Sequence, residues 1–171
     1  MNRRSALSML SGGGVAVISG CLSMRQENCP QPDIENELSY NVRIPEGSGS
    51  HTGDGIELIT TPEDINNLTA EGLNDEDERW IADTNFDEYV VSVIKESSGG
   101  DGSNSKFEIM GVGQESENTL HIYSCIAEVG SGDVGYLYLR LLRVSHEGLP
   151  LDRAVYTHWE EGDESTYESD V

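Results

Sequence analysis

The chain is poor in basic side chains and lacks the spacings by which zinc sites and serine nucleophiles are usually recognised. Among its 171 residues, 10 are Lys or Arg and 32 are Asp or Glu. Contact with a phosphate backbone requires a basic patch, so this balance argues against a nucleic-acid partner. The four histidines have no His-x-x-x-His spacing, and no Gly-x-Ser-x-Gly motif occurs. We therefore expect a non-catalytic protein that uses no metal and no cofactor.

The start of the chain also lacks a hydrophobic run long enough to cross a bilayer, which needs roughly 20 apolar residues. Arg3 and Arg4 precede a short apolar stretch, residues 6–18, that three glycines dilute. A positive start, a short apolar stretch and small residues before a cut are typical of a secretory signal. The arginine pair resembles a twin-arginine export signal. Ser-Gly directly before Cys21 resembles the lipobox of bacterial and archaeal lipoproteins.

These features predict that residues 1–20 are removed and that Cys21 carries lipid. Two acyl chains anchor a protein stably, whereas one holds it only marginally. We expect an exported protein held by lipid at the outer face of the cytoplasmic membrane. A cleaved soluble form and an uncleaved spanning helix are the alternatives.

The mature chain would carry 8 basic and 32 acidic side chains, a formal charge of −24. Such a charge on a small domain repels itself. Salt at about 1 M shortens the Debye length to roughly 3 Å and removes most of this repulsion. An acidic chain with two lysines is typical of salt-loving organisms, and with its export signal it resembles haloarchaeal secreted lipoproteins. An ordinary acidic protein with a disordered tail is the alternative.

The cysteine count leaves one candidate disulfide. If Cys21 carries lipid, Cys29 and Cys125 form an even pair in an oxidising compartment. A bond between them would hold the start of the mature chain against a core strand. Spacing alone does not decide between this bond and two free thiols.

The rest of the chain alternates short apolar runs with turns every 8–12 residues, which is typical of an antiparallel sheet protein. We predict a tether with an edge strand over residues 21–55, a β-rich globular domain over 56–160 and an acidic disordered tail over 161–171. Thr61 is placed to begin one early helix. The predicted fold class is mainly β (α+β), an antiparallel β-sandwich or a small barrel-like sheet with one helix.

Three sets of residues are candidate sites on this domain. Tyr136 and Tyr138 share one strand face and, with Trp80, form either a binding surface or part of a second buried face. The acidic run 75–78 is either a cation site or a solvated turn, and the EF-hand spacing is absent. A protein that captures a small ligand or a cation would use residues 75–87 and the neighbouring aromatic residues. An acceptor pattern for N-glycosylation begins at Asn67.

The order of short motifs resembles a known family. A Pro-Glu-Asp-Ile helix at residues 62–65 precedes an Asn-Phe-Asp-Glu-Tyr-Val-Val-Ser-Val segment at 85–93, then a Ser-Ser-Gly turn at 97–99 and a Phe-Glu-Ile strand at 107–109. This order is similar to the small β-rich domain of the protease-complex regulator family, across about residues 56–160. The resemblance implies a lipid-anchored, non-enzymatic envelope protein that binds another protein.

The Gly-rich loop 99–105 departs from this family, because Asp101, Asn104 and Lys106 stand where the family tends to present a glycine and an aromatic residue. The leading hypothesis is therefore a binding or accessory module that engages another envelope protein. The alternative is a surface lipoprotein that binds a small ligand or a cation. An apolar pocket with convergent polar groups would favour a ligand, and an exposed apolar patch or open sheet edge would favour a protein.

Overall fold

The computed structural model describes most of the chain after the signal segment, over residues 29–45, 53–69, 72–99, 106–126, 135–146 and 148–170. Arg3, Arg4 and Cys21 lie outside these described residues. The predictions of export and of lipid attachment therefore stay predictions.

The described residues form two four-stranded sheets, which confirms the mainly β sandwich. The strands are β1 (Tyr40–Arg43), β2 (Gly55–Ile59), β3 (Tyr89–Ser98), β4 (Phe107–Ser116), β5 (Thr119–Ile126), β6 (Tyr136–Ser145), β7 (Arg153–Glu160) and β8 (Asp163–Asp170). Sheet I has the order β1-β6-β3-β2, and sheet II has the order β4-β5-β7-β8. A 3₁₀ helix (Pro62–Asn67) and helix α1 (Asp75–Ala82) connect β2 to β3.

All strand pairs are antiparallel except β5 with β7. The chain leaves sheet II after β5, forms β6 in sheet I and returns as β7, so β5 and β7 run in the same direction. Parallel strands need such a long crossover, which here is a strand of the facing sheet. The wholly antiparallel pattern expected from the sequence fails at this one pair.

Both faces of sheet I are covered, so its central strands are buried on both sides. Towards sheet II, side chains of β2, β3 and β6 pack on those of β4, β5 and β7 in one apolar core. A second core lies on the outer face, where Leu139 and Leu141 of β6 meet Val91 and Val93 of β3 beneath the helices. The apolar character of both alternations in β3 predicted this central position.

The two helical segments correct the prediction of one helix. Thr61 begins the first as expected, but this helix is a 3₁₀ helix of six residues. The second, α1, begins at the first residue of the acidic run 75–78, for which the sequence left a cation site and a solvated turn as alternatives. Its cap is Asn74, whose side chain accepts hydrogen bonds from the main-chain N–H of Glu76 and Asp77. Four acidic residues in the first turn favour a helix here, because carboxylates stabilise the positive end of the helix dipole.

The N-terminal segment packs on sheet II, so the predicted tether is wrong for its described part. Cys29 is joined to Cys125 of β5 by a disulfide whose Cα atoms lie 5.9 Å apart. Residues 29–38, here called the strap, then run to the edge of β4, where Leu38 donates a main-chain hydrogen bond to Val112. Gly111 and Gly113 of β4 leave room for Ile34 of the strap.

The C-terminal segment corrects the prediction of a disordered tail. Residues 163–170 pair along the whole of β7 as the edge strand β8. Tyr167 stacks on buried Tyr156 of β7 at 5.8 Å between ring centroids and packs against the core. The high acidic content hid this strand, because alternating acidic residues lie on the exposed side of an edge strand.

Gly113→Ala should destabilise the protein by about 1–3 kcal/mol, the usual cost of overpacking. A Cβ at this position would lie 2.4 Å from Cγ2 of Ile34 and 3.1 Å from the main-chain oxygen of Asn36. Gly99→Ala is the matched control, because nothing lies within 4 Å of its Cβ. Denaturant unfolding at one fixed salt concentration measures both. Equal stability of the two variants would contradict a close contact between strap and sheet.

Candidate binding cleft

A cleft opens where the two sheets part at one end of the sandwich. Strand β1 pairs only with residues 141–144 of β6, and the strap meets only residues 112–114 of β4. The first halves of β6 and β4 therefore have no strand covering their outer edges within the described residues. Between them lies a cleft of about 450 Å³, with Ile44 and Pro45 at its margin.

Aromatic rings form one wall of the cleft. Tyr138 points between the sheets and is 4 % exposed, whereas Tyr136 at the mouth is 49 % exposed. Their ring centroids lie 4.9 Å apart, and Phe107 of β4 stacks on Tyr138 at 5.2 Å. The tyrosine pair therefore contributes both to an open binding surface and to a buried face, the two alternatives that the sequence left open.

Arg140 of β6 brings a positive charge into this aromatic wall. Its guanidinium carbon lies 5.1 Å from the ring centroid of Phe107 and 5.5 Å from that of Tyr138. One N–H donates to the main-chain oxygen of Leu139 at 2.8 Å. The side chain is half-buried, and burial lowers the pKa of the Arg140 guanidinium from its usual value. Lys106 is exposed at the mouth, and Glu108 also lines the cleft.

Arg140 has no carboxylate partner within the described part of the chain, unlike three other described cations. Arg43 pairs with Asp77 and Glu76, Lys95 with Glu57, and Arg153 with Glu168. Arg143 lies on the other face of β6, as its alternation predicts, and stacks over Trp80 while donating hydrogen bonds to Trp80 and Thr84. A half-buried charge without an opposite charge is costly unless other acceptors replace its water. Arg143 has such acceptors on two neighbouring residues, whereas Arg140 donates, among the described residues, only to the main-chain oxygen of Leu139, so Arg140 keeps donors that a ligand could use.

A buried polar network lies behind the cleft. Ser124 Oγ lies 2.7 Å from Nδ1 of His158 and 2.8 Å from the hydroxyl of Tyr156. Tyr156 donates in turn to Glu96 at 3.0 Å. His158 stacks on Phe107 at 5.7 Å, so the network and the cleft share one ring. Nε2 of His158 has no hydrogen-bond partner among the described residues.

Burial keeps this network uncharged at neutral pH. Loss of hydration, together with the nearby carboxylates Asp54 and Glu160, raises the pKa of Glu96 to about 8 despite the opposing hydrogen bond from Tyr156. Burial lowers the pKa of His158 to about 4. Glu96 therefore holds a proton at pH 7 while His158 is neutral.

The serine and histidine of this network are placed for structure more than for covalent catalysis. Ser124 is fully buried, and His158 is almost so. A nucleophile must meet its substrate, and neither side chain lines the described cleft. The network instead fixes the wall of the cleft by tying β3, β5 and β7 together.

Trp80 lies apart from the tyrosines. It sits on α1, on the outer face of sheet I, whereas Tyr138 points to the inner face. The three aromatic residues therefore do not form one surface. Asn67 is exposed at the end of the 3₁₀ helix, and the Thr69 hydroxyl of its acceptor pattern donates to Glu57 and accepts from Lys95.

The acidic stretch offers little to a cation. Asp77 is fully buried, where it accepts from Arg43 at 2.7 Å and from its own helix cap. In the described part of the chain, no cluster of three or more His, Cys, Asp or Glu side chains is arranged to hold a metal ion. The cation alternative thus has no support from these residues.

In comparisons with known proteins, no family model, curated protein or solved structure matches the chain. Within the described ranges, no helix combines the length and apolar character needed to cross a bilayer.

The polar residues of the cleft and network were missed by sequence analysis. Alternation puts Arg140 and Arg143 on opposite faces of one strand but does not mark Arg140 as a cleft residue. His158, expected from its strand at the surface or rim, is instead buried. Alternation places Ser124 on the inward face with Leu120 and Ile122, which is the one signal that could have marked a buried polar residue. Ser124 meets His158 because β5 and β7 are neighbours in sheet II, and only the topology shows this.

The unfolding free energy should fall as the pH rises from 6.5 to 8. The folded state keeps the Glu96 proton that the unfolded chain releases above about 4.5, so stability is lost between pH 4.5 and about 8. His158 has the opposite effect between about 4 and 6.5, because the unfolded chain binds its proton first. The two slopes oppose each other below pH 6.5, and that of Glu96 remains above it.

Glu96→Gln should remove most of this decrease, because the amide does not titrate. Glu117→Gln, an exposed change, should keep the parental pH dependence. Unfolding curves at constant high salt measure the effect. A decrease of the same size in Glu96→Gln would assign the pH dependence to other groups.

Proposed function

We propose that this protein is an exported, lipid-anchored binding module of the cell envelope that acts without catalysis, and that the cleft at the end of the sandwich is its binding site. The observation that carries this proposal is the convergence of Arg140, Lys106 and three aromatic rings on one cleft. Its volume of about 450 Å³ falls within the range of roughly 300–1,000 Å³ common to small-molecule sites.

Capture of a small ligand is favoured over a flat protein interface by the depth of the aromatic wall. Tyr138 and Phe107 are reached through the gap between the sheets, not on an open face. Convergent polar groups in an apolar cavity provide orientation and specificity for a small molecule.

An envelope protein is the second candidate partner, in keeping with the resemblance to the protease-complex regulator family. Four exposed apolar side chains lie along one edge of sheet I: Val42 of β1, Ile44 just after it, and Tyr136 and Leu137 in the half of β6 that β1 leaves uncovered. An extended segment of a partner could add to that edge and cover these side chains. Strand β1 has four residues, so such pairing would be short.

Lipid attachment at Cys21 would give the mature protein a specific mass. Protein extracted from membranes should begin at Cys21 and carry the added mass of lipid, and Cys21→Ser should abolish this addition. Intact-mass spectrometry of both forms measures it. An unmodified full-length mass would overturn export and anchoring, while leaving the cleft as a site to be tested separately.

If the cleft is the binding site, substitutions at two exposed positions should differ in their effect on ligand binding. Tyr136→Ser should weaken binding of small aromatic compounds several-fold, because an aromatic wall residue is lost. Leu149→Ser is the control, since Leu149 is also exposed but lies in the β6–β7 connection at the opposite end of the sandwich. Calorimetric titration with 3-phenylpropanol and 3-phenylpropionate measures both. Equal weakening in the two variants would place binding elsewhere.

A further inference from the structure

Arg140 and Arg143 are both half-buried described arginines that form no ion pair within the described residues. Arg143 donates to Trp80 and Thr84, whereas the one hydrogen bond of Arg140 within the same part of the chain goes to the main-chain oxygen of Leu139 in the cleft. The chain has 32 acidic side chains, so a neutralising partner would be easy to provide. Arg140 is instead held against the rings of Phe107 and Tyr138. One of its N–H groups donates to the main-chain oxygen of Leu139, and none donates to a carboxylate of the described residues.

We infer that the ligand of this cleft is an organic monoanion, whose carboxylate or phosphodiester pairs with Arg140 and whose apolar body lies along the aromatic wall. This inference rests on the proposed function, because it names the ligand class of the same site. A guanidinium presents paired donors that match both kinds of oxyanion.

The charges lining the cleft match a single negative charge. Arg140 and Lys106 contribute two positive charges, and Glu108 contributes one negative charge. The described lining is therefore positive by one unit, although the whole chain has a formal charge of −22. A dianion would exceed this local charge and be repelled by the rest of the molecule, whereas a monoanion would neutralise it.

The body of the ligand should be apolar and flat or slender. Tyr136, Tyr138 and Leu137 line one side, and Ile44 lies at the margin with 62 % of its surface exposed. Rings whose centroids lie 4.9–5.2 Å apart offer faces to an aromatic or acyl group. A fully polar anion would leave these faces exposed to water.

Matched probes test the charge. The mature protein should bind 3-phenylpropionate about 10- to 100-fold more tightly than 3-phenylpropanol, because hydrogen bonds to a charged group are stronger than those to a neutral one. The two probes share their aromatic body and differ in the carboxylate. Titration calorimetry at constant salt measures the ratio.

Three variants show which side chains cause the preference for the anion. Arg140→Met should reduce the preference for the anion to near unity while keeping 3-phenylpropanol binding, because Met preserves the apolar stem. Lys106→Gln, an exposed change that does not threaten folding, should reduce the preference by roughly two- to fivefold. Arg153→Met, which removes a cation paired with Glu168 outside the cleft, should leave the preference unchanged.

Two further probes distinguish a soluble anion from a lipid headgroup. Short-chain phosphatidylglycerol and its deacylated headgroup, glycerophosphoglycerol, have the same phosphodiester charge. Tight binding of the lipid alone would identify membrane lipid as the source of the ligand. Weaker binding of both than of 3-phenylpropionate would identify a soluble carboxylate.

The outcomes separate this inference from the proposed function. Equal affinity for 3-phenylpropionate and 3-phenylpropanol would overturn the anion and leave the cleft as a binding site. An anion preference that persists in Arg140→Met and in Lys106→Gln would also overturn it. Binding of none of the four probes would remove both the anion and the cleft from the proposal.

Discussion

The antiparallel pairing of β3 with β6 is the interaction on which the rest of this structure depends. Ten residue pairs join the two strands, from Tyr89 with Ser145 to Ser98 with Tyr136. This register places Leu139 and Leu141 beneath the helices and turns Tyr138 and Arg140 towards sheet II. A slip of one residue would exchange the two faces, placing the leucines in the cleft and the arginine under the helices. The cleft is thus a product of the register as much as of its own residues.

Charge is distributed in this protein according to the layer of the sandwich. Ion pairs join the elements on the outer face of sheet I, as in Arg43 with Asp77, which joins β1 to α1. The space between the two sheets contains hydrogen-bonded polar groups without net charge, because Glu96 is protonated and His158 is neutral. Arg140 is the exception, as a cation between aromatic rings. Such separation suits a strongly acidic chain, since added salt screens exposed charges and leaves buried hydrogen bonds largely unaffected.

The fold class could be predicted because alternation and turn spacing are local properties of the chain. The same rules placed β3 at the centre of a sheet and put Arg140 and Arg143 on opposite faces. These rules failed where the structure of one segment depends on contact with a segment distant in sequence. Strand β8 is too acidic to be recognised without β7 beside it, and the strap depends on a disulfide that closes over 96 residues. The site was harder still, because Phe107, Arg140 and His158 come from three strands whose proximity only the topology provides.

If Cys21 carries lipid, the disulfide between Cys29 and Cys125 limits how far the domain can lie from the bilayer. Cys125 pairs with Glu108 of β4, beside Phe107 in the cleft wall, so the bond lies at the end of the sandwich where the cleft opens. Cys29 lies eight positions after Cys21, and a fully extended chain over eight positions spans at most about 28 Å. Lipid on Cys21 would therefore confine the mouth of the cleft to a thin layer next to the bilayer. Molecules leaving or entering the membrane would pass through that layer, whereas those in the bulk medium would reach the cleft only by diffusing into it.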